Sequence, residues 1–237
     1  IKKRAFKFGI QPGLMKVCRM HYKAVIFDMD GLLIDSEPLW QEAGKETLAQ
    51  FGMVLTDEQY HSSTGLRTEE WVDHWFRHFG IPSKEAPLAI DSILNKAIEK
   101  IDANGIALPG VDYILDFFTE RHYSVGLATS SPMALVDVVA DKLKIRNRFS
   151  SFSSAESLPY GKPHPQVFLN CTAALNCLPQ EAIVFEDSFN GMIAAKAARM
   201  KCVVVPAKEQ YSQLRWSAAD LVLNTLLEFN EEKLNGL

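Results

Sequence analysis

Lys23-Ala24-Val25-Ile26-Phe27-Asp28-Met29-Asp30-Gly31-Leu32-Leu33-Ile34 is the stretch on which the reading of this chain turns. Four apolar residues, Ala24–Phe27, run straight into two acids and a glycine, the pattern of a buried strand that stops abruptly at a polar turn. Gly31 permits the sharp bend that follows. The same pattern recurs downstream. Apolar runs at Ser124–Ala128, Ile183–Phe185 and Cys202–Val205 end at Thr129-Ser130-Ser131-Pro132, Glu186-Asp187-Ser188 and Pro206-Ala207. Longer helical patterns separate them, so the chain is expected to be an α/β protein with a Rossmann-like parallel sheet core. In such sheets ligands bind beyond the carboxyl ends of the strands, which brings these polar clusters to one crevice.

Between Pro38 and Ala107 the pattern turns helical, with apolar residues at Leu39, Trp40, Ala43 and Leu48 and later at Trp71, Val72, Trp75, Phe76 and Phe79. The organisation predicted is a core made of 23–37 and 108–237 with a helical cap, 38–107, inserted between. Pro38 and Pro109-Gly110 are expected near the two connecting strands. Residues 1–22 read as a basic extension outside the folded unit, either added to the natural chain or disordered.

The chain has 237 residues, 47% of them hydrophobic, enough for a substantial core. Seven Lys or Arg and no acid fall within residues 1–23, so the remaining 18 basic residues face 29 acidic ones, a net −11. Such a surface excludes nucleic acid and anionic membrane as principal partners. Cys18, Cys171, Cys177 and Cys202 lack metal or redox spacing and read as small buried hydrophobes in a reducing cytoplasm. No apolar run reaches about 18 residues, so no spanning helix is predicted. A monomer acting on a small soluble partner is the expectation.

Four clusters carry chemistry. Asp28 and Asp30 stand two apart at a strand end, where one carboxylate can attack phosphorus while the other moves protons. A calcium loop would place its glycine later and end in glutamate, whereas Leu32-Leu33-Ile34 follows here. Thr129 and Ser130 offer hydroxyls and backbone N–H groups that suit phosphate oxygens, and the same residues could cap a helix before Pro132. Lys162, held between Gly161 and Pro163-His164-Pro165, can neutralise a transferring phosphoryl group if it is not a surface lysine. Glu186 and Asp187 supply the oxygen ligands that Mg²⁺ prefers, or else a solvated turn. An anionic nucleophile approaching a phosphate needs such a cation.

Acid pair, hydroxyl, lysine and acid pair in this order resemble the four motifs of the haloacid dehalogenase superfamily, over everything from about Lys23 onward. The resemblance implies a phosphatase with a phosphoaspartyl intermediate. Asp28 would be nucleophile and Asp30 general acid and base, with Thr129, Ser130 and Lys162 on the phosphoryl oxygens. Mg²⁺ would be bound by Asp28, Asp30 through its carbonyl and Asp187, with Glu186 either a further ligand or a supporting partner. A helical cap implies a small phosphorylated metabolite. Asp35-Ser36-Glu37-Pro38-Leu39-Trp40, Gly65-Leu66-Arg67, Leu158-Pro159-Tyr160-Gly161-Lys162 and Asn190-Gly191-Met192 look most like hexitol and 2-deoxyglucose-6-phosphate phosphatases. The β-phosphoglucomutases come next, but those carry a histidine where Trp40 stands.

Arg67 could reach a substrate hydroxyl or phosphate from the cap, or simply start a helix. His74 and His78 stand i, i+4 but lack a third ligand, so a solvated helix face is expected. Trp71, Trp75 and Phe79 have helical spacing and read as core. Signalling receiver domains share the acid, hydroxyl and lysine, but are too short to need a cap-sized insertion.

Overall fold

The computed structural model describes residues 22–63 and 66–237, so the basic extension and Gly65 lie outside the described residues apart from Tyr22. Six parallel strands form one sheet in the order β3-β2-β1-β4-β5-β6. They are β1 Ala24–Phe27, β2 Ser124–Thr129, β3 Ser151–Ser154, β4 Ala182–Glu186, β5 Lys201–Val204 and β6 Leu221–Val222. β1 lies centrally, with Phe27 in register with Leu127 on one side and Phe185 on the other. All four β1 residues are fully buried, as a parallel strand covered on both faces requires.

Val25 and Phe27 face one apolar layer, built with α5 Val111–Thr119, α6 Met133–Lys142 and α9 Glu231–Gly236. Aromatic rings dominate it: Phe27 stacks on Phe185 at 5.0 Å, and Phe118 and Phe229 close around them. Ala24 and Ile26 face the opposite layer, formed with α7 Gln166–Ala174 and α8 Phe189–Ala197. Cys171 and Cys202 are free and buried there, as expected of small hydrophobes. Cys18 lies outside the described residues.

The helical insertion contains α1 Glu37–Gln50, α2 Asp57–Ser62, α3 Thr68–Phe79 and α4 Ala86–Asn104. Its own core gathers Leu48, Trp71, Val72, Trp75, Phe76 and Ile93. Phe79 is exposed, so the aromatic stripe is core at only two of its three positions. The exposed His74 and His78 rings lie edge-on against Trp75. The two connecting segments pair with each other: Ile34 bridges Ala107, the Asp35 N–H donates to the Ile106 carbonyl, and the Leu108 N–H donates to the Leu33 carbonyl. Pro38 lies just beyond this crossing, in the first turn of α1, where its missing N–H costs no hydrogen bond. No helix among the described residues is long and apolar enough to cross a membrane.

Two strands escape the sequence reading. β3 is Ser-Phe-Ser-Ser, half-buried along its length, and β6 is two half-buried residues at the other edge. Edge strands need only one covered flank and carry little apolar signal.

Candidate active site

Because the strands run parallel and in register, the residues that follow them meet at one rim of the sheet. The Asp28 N–H extends the ladder by donating to the Phe185 carbonyl, which delivers the Asp28 side chain beside Glu186. Between them lies Lys162. Its ammonium donates to Asp28 Oδ1 at 2.6 Å, to Glu186 Oε1 at 2.6 Å and to the Ala128 carbonyl at 3.0 Å. Three N–H donors thus have three acceptors, and Lys162 is only 2% exposed. Burial alone would lower its pKa, but Asp28 and Glu186 outweigh that and hold the ammonium above the usual lysine range.

Glu186 leaves neither oxygen free, since Oε2 accepts from the Ser188 N–H and hydroxyl. Ser188 also caps α8 by accepting from the Gly191 N–H. A Cβ at Gly191 would fall 1.9 Å from the Glu186 carboxylate, so only glycine lets α8 start this close. Gly31 plays the matching part beneath Asp187: its φ is +73°, and a Cβ there would lie 2.3 Å from Asp187 Oδ2.

Asp30 is held at both oxygens. Oδ1 accepts from the Ser36 hydroxyl at 2.7 Å and the Trp40 indole N–H at 3.0 Å, and Oδ2 from the Ser131 hydroxyl at 2.7 Å. Thr129 is buried, and its Oγ1 accepts from the Ser131 N–H, so it shapes the turn; it does not cap the next helix, whose N-cap is Pro132 without a side-chain bond. Thr129 and Ser130 both border the pocket with Asp28, Asp30, Lys162 and Asp187.

Carboxylate oxygens of Asp28, Glu186 and Asp187 can lie within 4.8 Å of one another. Burial pushes the Asp28 carboxyl up to about 8, against the pull of Lys162, with Glu186 and Asp30 adding to the rise. Burial, Glu186, Asp28 and Glu37 hold Asp187 well above the carboxylate range. A single lysine does not balance this much negative charge, and a hard divalent cation relieves such crowding. The donor set fits Mg²⁺.

Arg67 is not at this pocket. Its guanidinium donates to the Leu158 carbonyl at 2.6 Å, the Ala155 carbonyl at 3.2 Å and Glu70 at 2.8 Å. Glu70 in turn accepts from the Gly161 N–H at 3.1 Å. Of the two readings of Arg67, a group reaching substrate or a helix start, the structure places it at the start of α3, where it clasps the loop that carries Lys162 through the Leu158 carbonyl and Glu70. Its sequence neighbours Leu66 and Thr68 border the pocket, together with Glu37, Trp40, Tyr60 and Trp71. Trp71 thus serves core and pocket together.

Ser36, Glu37 and Glu70 carry no site signal in the sequence, whereas Trp40 enters only as the residue in place of the mutase histidine and Ser131 only as the neighbour of Thr129 and Ser130. The run Ser36-Glu37-Pro38 does signal a helix start, and a helix beginning directly after the catalytic turn must aim its first turn back at Asp30.

Residues 25–205 match the family model described as haloacid dehalogenase-like hydrolase. The chain belongs to that family. Hexitol phosphatase B of Escherichia coli K12 is 40% identical over 216 residues, spanning 90% of this chain and 96% of that one. A phosphorylated carbohydrates phosphatase of Thermotoga maritima is 29% identical, over 74% of this chain and 81% of that one. Among solved structures, a β-phosphoglucomutase from Clostridium difficile superposes with a TM-score of 0.80 at 25% identity, covering 90% and 95% of the two chains. This haloacid dehalogenase-like hydrolase is accordingly an enzyme of the phosphatase class, with the sheet-and-cap fold of its relatives.

Proposed function

We propose that the chain hydrolyses the monophosphate ester of a small sugar or sugar alcohol through a phosphoaspartyl intermediate on Asp28, with Mg²⁺ as cofactor. The observation that carries this reading is the buried Asp28–Lys162–Glu186 bridge, whose Asp28 and Lys162 border a pocket that residues of the helical insertion also border. An exposed lysine would have no reason to be placed there, whereas a phosphoryl group arriving at Asp28 needs fixed positive charge beside it.

In the first half-reaction an Asp28 carboxylate oxygen forms a bond to phosphorus while the bond to the ester oxygen breaks. Asp30 gives its proton to the departing alkoxide. In the second, Asp30 takes a proton from water, whose oxygen attacks the phosphoryl group and releases Asp28. Thr129 and Ser130 hold the phosphoryl oxygens throughout, and Lys162, whose protons go to Asp28, Ala128 and Glu186, contributes its fixed charge beside them. Mg²⁺, when bound by Asp28, Asp187 and the Asp30 carbonyl, offsets the repulsion between carboxylate and phosphate. Glu186, with both oxygens engaged by Lys162 and Ser188, positions the lysine rather than completing the metal shell.

The hexitol phosphatase relative supports a polyol or sugar ester. The mutase relative supports a different fate for the phosphoryl group, but the residue facing Asp30 here is Trp40, a donor with no acceptor. Phosphate release should be measured over hexitol, hexose, deoxyhexose and nucleotide phosphates with and without Mg²⁺. Release is expected to require Mg²⁺ and to fall by roughly a thousandfold or more in Asp28→Asn, the scale of losing a nucleophile. No release from any ester, release unaffected by Asp28→Asn, or interconversion of β-glucose 1-phosphate and glucose 6-phosphate in place of hydrolysis overturns it.

A further inference from the structure

The residues that border the pocket come from both parts of the chain. Those assigned to the phosphoryl group and the metal, Asp28, Asp30, Thr129, Ser130, Lys162 and Asp187, all belong to the sheet core, so the leaving group of an ester is left to the bordering residues of the helical insertion. Two polar side chains of that insertion are already engaged: the Trp40 indole N–H donates to Asp30, and the Ser63 hydroxyl donates to the Tyr60 carbonyl and accepts from the Trp75 indole. Thr68 and Trp71 are not. Neither the Thr68 hydroxyl nor the Trp71 indole N–H has a hydrogen-bond partner among the described residues. The two stand i, i+3 on α3, neighbours on one face of the helix, and both border the pocket.

Trp71 is seated there by a glycine. Gly44 is buried in the interior of α1, where glycine costs stability relative to alanine. Its missing side chain makes room for the ring: a Cβ on Gly44 would lie 3.0 Å from Trp71 Cη2 and 3.6 Å from Cζ2 and Cζ3, so the tip of the indole takes the space a side chain would fill. Tyr60 meets the same ring edge-on at 5.9 Å. Gly44 and Tyr60 border the pocket as well. An indole joins a large apolar ring to one N–H donor, and a threonine hydroxyl can donate or accept. Side by side they match a carbon chain that carries both C–H and O–H groups.

We infer that Thr68 and Trp71, the latter seated by Gly44, are specificity-determining residues that hydrogen-bond hydroxyl groups on the carbon chain of the leaving group. This rests on the phosphatase reading and narrows its substrate class. An ester whose chain lacks hydroxyls leaves both polar groups unmatched, and selectivity follows from that difference.

Sorbitol 6-phosphate and hexyl phosphate form a matched pair of six-carbon monoesters, with hydroxyls along the whole chain of the first and on none of the second. With Mg²⁺, the wild-type enzyme should favour sorbitol 6-phosphate in kcat/KM by roughly tenfold or more, the scale of two neutral hydrogen bonds. Thr68→Val and Trp71→Phe, each of which removes one polar group, should each lower that ratio by roughly two- to tenfold, chiefly through KM for sorbitol 6-phosphate. Gly44→Ala, which favours α1 but displaces the indole, should lower it in the same direction and does not depend on Trp71→Phe folding. A purely structural role would lower efficiency on both esters alike and leave the ratio unchanged. Equal efficiency of the wild type on both esters, a ratio unmoved in Thr68→Val, or a ratio unmoved in both Trp71→Phe and Gly44→Ala overturns the inference and leaves the phosphatase reading standing. Release from neither ester, in protein that melts cooperatively, overturns both.

Discussion

In the mechanism proposed above Asp30 holds a proton for the leaving oxygen and then accepts one from water, and its surroundings decide which of its oxygens does so. Trp40 can only donate, so Oδ1 is the oxygen that stays unprotonated. Ser131 at Oδ2 has a hydroxyl that can reverse its role, so the mobile proton belongs there. Trp40→Phe removes the donor while keeping most of the ring's bulk. A hydrogen bond to a charged group contributes about 1.5–3 kcal/mol, so kcat should fall by roughly ten- to a hundredfold, with KM little changed. Steady-state kinetics on the best ester checks this, and an unchanged kcat would show that Trp40 only fills space. Asp28, Asp30, Lys162 and Asp187 were legible in sequence because each follows an apolar run whose end is a physical landmark. Glu37 was not, and Trp40 only through the family resemblance, because the contacts of both depend on the direction in which α1 leaves the turn.

The start of α3 and the loop 155–161 meet through side chain and backbone, which a linear reading cannot foresee. Arg67 and its carbonyl partners are 88 and 91 residues apart, and carbonyls have no sequence signature. Even the glycine of the lysine motif is explained only in the fold: a Cβ on Gly161 would lie 2.8 Å from Arg67 Cγ and 2.9 Å from Glu70 Oε2. The clasp ties the cap to the loop that aims Lys162, so its loss should loosen closure and blur the lysine's position together. Arg67→Ala is expected to lower kcat/KM by roughly tenfold, because the Leu158 carbonyl loses its guanidinium donor and Glu70, left with backbone N–H donors alone, loses its counter-charge, which disfavours the closed arrangement by about 1–3 kcal/mol. Arg67→Lys should not restore it, since an ammonium cannot span the same acceptors as the guanidinium fork. Kinetics of the two variants at matched Mg²⁺ decides the matter. Full activity in Arg67→Lys would mean that charge alone, not the fork, makes the contact. The strands show the same division: β1, β2, β4 and β5 announce themselves by apolar runs, while β3 and β6 depend on having one neighbour.

For the molecule as a whole, the cost of assembling this site appears as a dependence of stability on pH. In the metal-free protein the Asp28 carboxyl rises from 3.8 to about 8 and Glu37 from 4.5 to about 7, and Asp187 moves in the same direction, burial leading in each case. A carboxyl whose folded pKa lies above its unfolded value is harder to ionise in the fold. Its contribution to stability is complete below about pH 4 and is lost as pH rises through 7 to 8. Acids such as Asp220 and Glu70 shift oppositely, so their stabilisation is present above their unfolded values of 3.8 and 4.5 and is lost as pH falls, and the raw pH profile mixes both kinds. Comparing melts with Mg²⁺ and with a chelator cancels the second kind, because neither acid is among the proposed ligands. Mg²⁺ binds the ionised carboxylates, so the Tm difference between the two conditions should widen from pH 5.5 to pH 8.5. At a hundredfold excess over Kd the stabilisation is about 2.7 kcal/mol, or roughly 5–10 °C for a chain of this size. An equal difference at both pH values would mean that the metal does not bind through these carboxylates, and the crowding of Asp28 and Asp187 would then need another counter-charge.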